Sequence, residues 1–456
     1  MAYLENDTIV ALSTPAGMGA IAVIRLSGSD AIRMCDAVFQ GTDLLEAAAN
    51  TLHVGWLKDG DQLVDEVVVG IFRAPKSYTT EDVVEISCHG SVFIQQQVLA
   101  LMIKQGARMA KAGEFTMRAF LHGRMDLSQA EAVADLIASE GAAAHDLAIK
   151  QMRGGFSHEL SKLRDQLIGF ASMIELELDF SEEDVEFANR DELVVLSNRI
   201  EKVLDQLIDS FRLGNVIKQG VQTVIAGRPN AGKSTLLNAL LNEDRAIVSE
   251  IAGTTRDTIE EEVNIHGILF RLIDTAGIRE ATDVIEQAGV QRTMEKIAQS
   301  TLLLYVFDVQ EMSVEEVGKD LQQFHQGNYK LLLVGNKMDR GLPGDKALAL
   351  DALGDVLYIS SKDGSNLDAL KERMYQLVGG DNRLGDVVVT NVRHLEALTK
   401  AKGAIQEVLD GIKGKFSGEI TALSIRRALN YLGEITGEVT HEDLLDYIFS
   451  KFCIGK

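Results

Sequence analysis

The 456-residue chain has few cysteines, few prolines and no long apolar run. Its three cysteines, Cys35, Cys88 and Cys453, are too few for a disulfide framework or a four-cysteine zinc site, which fits a reducing compartment. No stretch of about 18 apolar residues occurs, so we predict no membrane span. The N-terminus lacks a basic region followed by an apolar run, so we predict no signal peptide. These absences together predict a cytoplasmic protein.

Positive charge is also scarce, because 45 Lys and Arg residues face 68 Asp and Glu residues, for a net charge of −23. Such a chain does not hold nucleic acid through a broad electrostatic surface, since phosphate binding needs concentrated basic residues. Any RNA contact must therefore use a local patch or a basic partner. The apolar content of 46% is ordinary for a folded protein, and the length allows two or three domains.

The hydrophobic periodicity divides the chain into four segments. Residues 1–120 alternate strand and helix patterns, 121–219 are helical, 220–380 contain short apolar strands separated by helices, and 381–456 are helical again. Apolar strands that alternate with helices predict a parallel sheet covered on both faces. The economical interpretation is an N-terminal α/β domain followed by a helical domain into which a second α/β domain is inserted.

Individual elements are also predicted. In the first segment we expect strands at 8–12, 20–26, 67–72 and 82–87, and helices at 31–39 and 93–104. In the second segment we expect helices across 160–178 and 192–211, and a further helix start at 181–184.

The most specific motif is Gly227-Arg-Pro-Asn-Ala-Gly-Lys-Ser234, which matches the phosphate-binding loop G-x-x-x-x-G-K-[ST]. A predicted strand precedes it and a predicted helix, Ser234 to Leu241, follows it. The glycines let backbone N–H groups close around phosphate oxygens at a helix N-terminus. We expect Lys233 to contact the β- and γ-phosphates as a catalytic residue, and Ser234 to ligate Mg²⁺.

Two further motifs follow predicted strands. Asp274-Thr-Ala-Gly277 places an acid where it can hold the metal through water, and Gly277 lets a backbone N–H approach the γ-phosphate. Asn336-Lys-Met-Asp339 selects the base, because Asp339 can accept hydrogen bonds from the ring N–H and amino group of guanine, which adenine does not offer there. The run 360–362 is expected to complete the base pocket with backbone N–H groups.

Three ordered motifs therefore predict GTP binding. The predicted nucleotide contacts are Asn230, Ala231, Gly232, Lys233, Ser234, Thr235, Ser249, Glu250, Ile251, Ala252, Gly253, Thr254, Thr255, Asp274, Thr275, Ala276, Gly277, Asn336, Lys337, Asp339, Ser360, Ser361 and Lys362.

The inserted domain resembles the translation-factor-related GTPases, but one position departs from the Ras-like pattern. Ile278 follows Gly277 where those proteins place the glutamine that orients water, so hydrolysis needs another device. Asn230 and the run 253–257 resemble GTPases that bind potassium beside the phosphates.

That resemblance implies K⁺ held by Asn230 and by the carbonyls of Ser249, Ile251 and Thr254, with Thr255 on Mg²⁺. An ordinary switch loop without a monovalent ion is the alternative.

The whole chain resembles the MnmE (TrmE) family of tRNA uridine-5-carboxymethylaminomethyl modification GTPases. The resemblance rests on the terminal Cys-Ile-Gly-Lys (453–456), the inserted GTPase domain, the run 253–257 and the N-terminal Asp-Thr-Ile-Val-Ala (7–11). It implies modification of carbon 5 of the wobble uridine of certain tRNAs, together with a flavin-dependent partner that carries the FAD. It also implies a homodimer formed through the N-terminal domain, and a heterotetramer or larger complex with the partner.

The resemblance further implies that a reduced folate, 5-formyl- or methylene-tetrahydrofolate, supplies a one-carbon unit. Arg25, Glu85, Arg124 and Lys456 correspond to the family's folate contacts. Without the resemblance, a solvated strand face is the favoured interpretation of Arg25 and Glu85.

Two other residues take family roles whose alternatives stay open. Glu286 corresponds to the glutamate credited with orienting the hydrolytic water indirectly, although its sequence context fits a solvated helix start. Cys453 fits either modification chemistry or a small apolar filler.

Two rival functions remain at this point. One is a ribosome-assembly or other RNA-associated GTPase switch without modification chemistry. The other is a stand-alone folate transferase with a regulatory GTPase domain, which predicts activity without a flavin partner.

Overall fold

The structure, a computed structural model, describes residues 7–179, 190–244, 260–274, 295–324, 327, 329–341, 344–379, 388–414, 418–440 and 442–456. The chain divides into two compact units. One contains the residues up to 134 with 152–168 and 429–456, and the other contains 135–151 and 169–428. The four-segment division, with boundaries at 120, 219 and 380, stays a prediction.

The first unit is built on a seven-stranded sheet. Its strands are β1 (Ile9–Leu12), β2 (Ile21–Ser27), β3 (Phe39–Gln40), β4 (Thr51–Asp59), β5 (Gln62–Phe72), β6 (Val83–His89) and β7 (Arg108–Met109). Their spatial order is β3-β4-β5-β6-β2-β1-β7, and every neighbouring pair is antiparallel except β1 with β7. Strand β2 therefore lies between β6 and β1, near the middle of the sheet.

Four helices accompany these strands: α1 (Ala31–Asp36) between β2 and β3, α2 (Val92–Lys104) between β6 and β7, and α3 (Glu114–Leu121) and α4 (Leu127–Ile137) after β7. Val98, Leu101 and Met102 of α2 join the buried cluster of the sheet. Helix α3 contributes Phe115 to a second cluster with Ile9 of β1.

One prediction for this unit is wrong, and one strand was missed. The helix predicted for 31–39 ends at Asp36, because Phe39 and Gln40 pair with Leu57 and Trp56 as strand β3. The long strand β4 was not predicted. Its outward side chains include apolar residues such as Trp56, so the sequence lacks the apolar/polar alternation that marks a half-buried strand.

The second unit contains a six-stranded sheet. Its strands are β8 (Val221–Ala226), β9 (Glu260–Ile265), β10 (Ile268–Asp274), β11 (Leu302–Asp308), β12 (Lys330–Asn336) and β13 (Val356–Tyr358), in the order β13-β12-β11-β8-β10-β9. Helices in this part of the chain include α8 (Lys233–Asp244), α9 (Val314–Gln322), α10 (Gly344–Asp351) and α11 (Leu367–Leu377), and helices α5 to α7 precede β8 in the sequence.

Both faces of this sheet are buried, as predicted. Leu302, Leu304 and Val306 of β11 join the cluster that contains helix α11, whereas Tyr305 and Phe307 join the cluster that contains helix α9. Successive strand residues point to opposite faces, so a strand buried on both sides has a continuous apolar sequence.

The sheet is not wholly parallel, because β9 is antiparallel to β10. His266 and Gly267 join these two strands, and both have positive φ values of 51° and 87°. A two-residue turn with positive φ at both positions is the tight connection that joins adjacent antiparallel strands.

Further helices in the described residues are α5 (Ala142–Met152), α6 (Gly155–Asp179), α7 (Arg190–Gln219), α12 (Val392–Lys413), α13 (Gly418–Thr436) and α14 (Glu442–Phe449). The helices predicted for 160–178 and 192–211 are present and longer than expected. The helix start predicted at 181–184 lies outside the described residues. No helix in the described ranges combines the length and apolar character needed to cross a bilayer.

Candidate functional site

The phosphate-loop motif lies between the end of β8 at Ala226 and the start of α8 at Lys233. Gly227 has a φ of 152°, and a Cβ there would overlap the carbonyl oxygen of Val306. Gly232 has a φ of 95°, and a Cβ there would overlap the side-chain amide of Asn336. Both positions therefore require glycine for conformation and for space.

Lys233 lies over the loop that precedes it. Its side chain is buried, and its Nζ donates hydrogen bonds of 3.0 Å each to the carbonyls of Gly227 and Arg228. Ser234 and Thr235, in the first turn of α8, are exposed, as is Asn230, which has a left-handed φ of 62°. An ammonium group, a helix N-terminus and exposed hydroxyls at one loop form a cradle suited to phosphate and a divalent cation.

The predicted base motif is joined to this loop through Asn336. Its buried amide Nδ2 donates to the carbonyl of Ala231 at 2.9 Å. Its Oδ1 accepts from the backbone N–H and the hydroxyl of Ser361 at 3.0 and 2.9 Å. The carboxylate of Asp339 is exposed, and its Oδ1 accepts a 2.9 Å hydrogen bond from the hydroxyl of Ser360.

The structure uses the amides after β13 differently from the prediction. The N–H of Ser361 donates to Asn336, and the N–H of Ser360 donates to the carbonyl of Ser365 at 3.1 Å. Because both amides already donate to acceptors within the protein, they hold the loop together. Lys362 follows in the same loop, and it is exposed.

Asp308, at the end of β11, is a site residue that sequence reasoning missed. Lys337 has a left-handed φ of 67°, and its Nζ lies 2.7 Å from Oδ2 of Asp308. Burial raises the pKa of Asp308, but hydrogen bonds from Lys337 and from the amides of Gln310 and Glu311 outweigh burial and leave that pKa below its usual value. An acid at the end of an apolar strand was the available signal.

Several predicted residues lie outside the described part of the chain. Asp274 ends β10, where its backbone pairs with Ile225 of β8 beside the phosphate loop. Residues 245–259 and 275–294 lie outside the described part of the chain, and the candidate Glu286 is among them. The predicted nucleotide contacts in these two segments are Ser249, Glu250, Ile251, Ala252, Gly253, Thr254, Thr255, Thr275, Ala276 and Gly277.

A second cluster of predicted residues lies in the first unit. Arg25 of β2 is directly opposite Glu85 of β6 in the antiparallel register. The Nε and Nη2 of Arg25 donate to Oε1 of Glu85 at 3.0 and 2.7 Å. The pairing is a consequence of register, since residues opposite one another in a sheet bring their side chains into contact.

Tyr78 connects this pair to Arg124. The guanidinium carbons of Arg25 and Arg124 each lie 5.3 Å from the centre of the Tyr78 ring. The Tyr78 hydroxyl shares a 2.8 Å hydrogen bond with Thr116, and Arg124 donates to the carbonyl of Ser77. Sequence reasoning missed Tyr78, although Ser-Tyr-Thr-Thr (77–80) just before a charged strand was a visible polar-aromatic signal.

The C-terminal residues pack against the same strands. The carbonyl of Gly455 accepts hydrogen bonds from Ser13 at 3.2 Å and from Arg25 at 3.5 Å. Ile454 forms an isolated antiparallel bridge with Ala112, and Cys453 is exposed. Lys456 follows Gly455 directly, so all four predicted folate residues belong to one region of the first unit.

Comparison with known proteins shows which protein family contains this combination of sites. A family model described as the MnmE helical domain matches residues 127–453, and one described as the GTP-binding protein TrmE N-terminus matches residues 8–124. A Cytophaga hutchinsonii protein named tRNA modification GTPase MnmE is 54% identical over 99% of this chain and 98% of its own length. The chain belongs to the MnmE family of tRNA modification GTPases.

Further MnmE-family relatives agree. A Flavobacterium psychrophilum protein of the same name is 52% identical over 99% of this chain and all of its own length. One from Bacteroides fragilis is 49% identical over the same shares. The predicted family, the mixed α/β fold class with a GTPase domain, and the assignment as a GTP hydrolase of tRNA modification are confirmed. Family membership argues against the rival of a ribosome-assembly or other RNA-associated GTPase switch without modification chemistry.

The MnmE-family N-terminal region contains a charge network around the buried Arg118 that sequence reasoning also missed. Arg118, with a side chain only 4% exposed, donates to Asp7, Glu81 and Glu114. Arg108 donates to both Asp7 and Glu114 at 2.6 Å. Glu81 also accepts from Ser27, so the network joins strand β2 to the segment that precedes β6.

Proposed function

We propose that this chain, with a flavin-dependent partner, installs the carboxymethylaminomethyl group at carbon 5 of the wobble uridine of certain tRNAs, using a folate one-carbon unit. The chain itself hydrolyses GTP, and the partner carries the FAD. The net charge of −23 supports this division, because a partner with basic surface would supply most of the grip on tRNA phosphates. The proposed complex is a heterotetramer or larger and works in the cytoplasm.

In the proposed nucleotide site, Lys233 and the loop amides hold the β- and γ-phosphates of GTP, and Asp339 with Lys337 selects guanine. Ser234 and Thr255 would hold Mg²⁺, which neutralises phosphate charge when bound. The support is the cradle itself: glycines with no room for a Cβ, and an ammonium held by two loop carbonyls. Glu286 is proposed to orient the hydrolytic water through other groups.

We further propose that potassium activates hydrolysis. Asn230 would be its side-chain ligand, with the carbonyls of Ser249, Ile251 and Thr254. Ile278 cannot orient water as glutamine does, so a positive charge beside the phosphates would serve where other GTPases use an arginine. The exposure of Asn230 and its left-handed backbone within the loop support a ligand role.

The folate proposal is carried by one observation, the grouping of Glu85, the tail and Tyr78 around Arg25, with Arg124 against the same Tyr78 ring. A reduced folate combines a pterin ring that can donate hydrogen bonds to a carboxylate with an anionic glutamate tail that pairs with basic groups. Glu85 would hold the pterin, and Arg25, Arg124 and Lys456 the polar and anionic parts. A reduced folate supplies a one-carbon unit when it is bound.

The test uses the full chain and 5-formyl-tetrahydrofolate in titration calorimetry. We expect Glu85→Gln, and separately deletion of residues 453–456, to abolish folate binding while GTP turnover stays near wild type. Arg33→Gln is the matched control, because Arg33 pairs with Asp30 on the exposed surface of the same unit. Normal folate binding by both test variants would contradict the folate assignment.

A homodimer through the N-terminal domain is proposed from an exposed apolar stripe. Leu52, Val54 and Trp56 lie on the outer side of β4 with exposures of 74%, 66% and 41%, and Val68 lies opposite Val54 on β5. An apolar stripe of this kind marks an interaction surface. Sedimentation of Val54→Lys should give a monomer if the stripe is the interface, whereas an unchanged dimer would place the interface elsewhere.

The cellular reaction is tested by mass spectrometry of wobble nucleosides. We expect cells that lack this protein to lose the carboxymethylaminomethyl group, and cells that lack the flavin-dependent partner to lose it as well. Modification that persists without the partner would favour the stand-alone transferase.

A further inference from the structure

Arg228, which follows the first glycine of the phosphate loop, is tied to helix α9 by two carboxylates. Its Nε and Nη2 donate to the two oxygens of Asp320 at 2.9 and 3.0 Å, and its Nη1 donates to Glu316 at 2.6 Å. The fork on Asp320 is a geometry that arginine provides and lysine does not. The general loop pattern leaves this position unspecified, so the motif assigns it no role.

Both carboxylates are themselves held in place. Asp320 also accepts a 2.6 Å hydrogen bond from the hydroxyl of Tyr305 on β11. Glu316 accepts from the backbone N–H of Ser313 at 3.0 Å as part of the capping box that starts α9. The acceptors for Arg228 are therefore anchored to a central strand and to a helix N-terminus, which limits their freedom to move with the loop.

The backbone of the same residue holds the loop lysine. The carbonyls of Gly227 and Arg228 both accept from Nζ of Lys233 at 3.0 Å. Gly227 packs so closely on the carbonyl of Val306 that a Cβ would not fit. Residues 227 and 228 thus lie between β11 and α9, and together they support the ammonium group.

We propose that Arg228 is a positioning residue for nucleotide binding. Its ion pairs with Asp320 and Glu316 hold the first half of the phosphate loop, and its carbonyl then sets the position of the Lys233 ammonium. Because Ile278 stands where a glutamine is usual, Arg228 could be mistaken for an arginine finger supplied by the same chain. Its guanidinium already donates to two carboxylates, so its charge is neutralised within the protein rather than offered to a phosphate.

Two variants of the full chain test this inference: Arg228→Gln and Asp320→Asn. We expect each to raise the KM for GTP and the Kd for GDP on the order of tenfold, with kcat within about threefold of wild type, since a displaced loop weakens binding of substrate and transition state alike. The double variant should be no worse than the single variant with the larger effect, because both substitutions remove the same pair.

Arg373→Gln is the matched control, because it removes an arginine–carboxylate pair with Asp355 in the same unit, away from the loop. It should leave both KM and kcat unchanged. If Arg228→Gln does not fold, Asp320→Asn, which is close to isosteric, decides the matter alone.

Three results would overturn the inference. If Arg228→Gln turned over GTP more slowly by roughly 10³–10⁵ at unchanged KM, Arg228 would be an arginine finger. A lower Tm with unchanged KM in both variants would identify a purely structural pair, and additive losses in the double variant would show that the two residues act separately. The inference rests on the proposed role of Lys233, which Lys233→Ala tests by itself: retained GTP binding there would refute that role rather than the part played by Arg228.

Discussion

The side-chain amide of Asn336 donates a 2.9 Å hydrogen bond to the carbonyl of Ala231 in the phosphate loop. The oxygen of the same amide accepts from Ser361 in the loop after β13. One buried side chain therefore joins three loops at the carboxyl ends of β8, β12 and β13, which is the edge of the sheet where ligands bind in open α/β folds.

Replacing Asn336 by alanine should weaken both the second unit and its nucleotide binding. The substitution leaves the Ala231 carbonyl and the Ser361 amide without their partner, at a cost of about 1–3 kcal/mol in the free energy of unfolding. Urea unfolding and the Kd for GDP measure the two effects. Asn238→Ala, on the exposed face of α8, is the control and should change neither.

Guanine specificity should depend on Asp339. In Asp339→Asn an amide replaces the acceptor for guanine's two donors, so GTP affinity should fall by about 1.5–3 kcal/mol or more. Xanthosine triphosphate should become the better ligand, because its ring carbonyl can accept from the new amide. Competition binding with both nucleotides measures the change, and Asp345→Asn in the exposed first turn of α10 controls for lost charge. Unchanged GTP preference would remove Asp339 from the base site.

Hydrolysis should depend on the monovalent cation. GTP turnover is expected to be much faster in potassium than in sodium at equal ionic strength, recovering part of the roughly 10³–10⁵ that an arginine finger supplies. Asn230 has a φ of 62°, so Asn230→Ala adds backbone strain to the loss of a ligand. Asn230→Gly removes the ligand without that strain, and it should abolish the potassium response while GDP affinity stays within a few-fold. Equal turnover in the two salts would count decisively against the potassium site.

The charge network around Arg118 should make the first unit sensitive to acid. Burial raises the pKa of Glu114 and of Asp7, but hydrogen bonds from Arg108, together with the charge of Arg118, outweigh burial and lower both pKa values. The ordinary pKa values are 4.5 for Glu114 and 3.8 for Asp7. Because the folded-state pKa values are lower, both carboxylates stabilise the fold at pH values above these ordinary values, and this stabilisation is lost as the pH falls through the lowered values.

Replacing Arg118 by methionine, in the variant Arg118→Met, tests how much this charge network contributes to stability. It removes the buried cation shared by Glu81, Asp7 and Glu114, although Arg108 still donates to Asp7 and Glu114, so the expected cost is about 1–3 kcal/mol in the free energy of unfolding at pH 7. The variant should lose less further stability on acidification than wild type. Trp56 is the only tryptophan and lies in the sheet of this unit, so its fluorescence reports the transition. Arg33→Met, at an exposed ion pair, is the control. Equal stability of the two variants would show that the network contributes little.

The elements that sequence predicted best are those whose cause is local. The strand at 221–226 and the helix α8 both carry continuous or periodic apolar residues, and the loop between them needs its glycines for its own backbone. Strand β4 and the end of α1 could not be predicted, because their state depends on pairing between Trp56 and Gln40, which lie in separate parts of the chain.

The sequence by itself determined the nucleotide motifs, because a phosphate loop is built from eight consecutive residues whose backbone does the binding. Tertiary structure alone decided which charges meet. Arg25 reaches Gly455 across 430 positions, and Arg228 reaches Asp320 across 92. Such contacts follow from strand register, from helix packing and from the docking of the C-terminal tail, which are properties of the folded chain and leave no periodic pattern in the sequence around either residue.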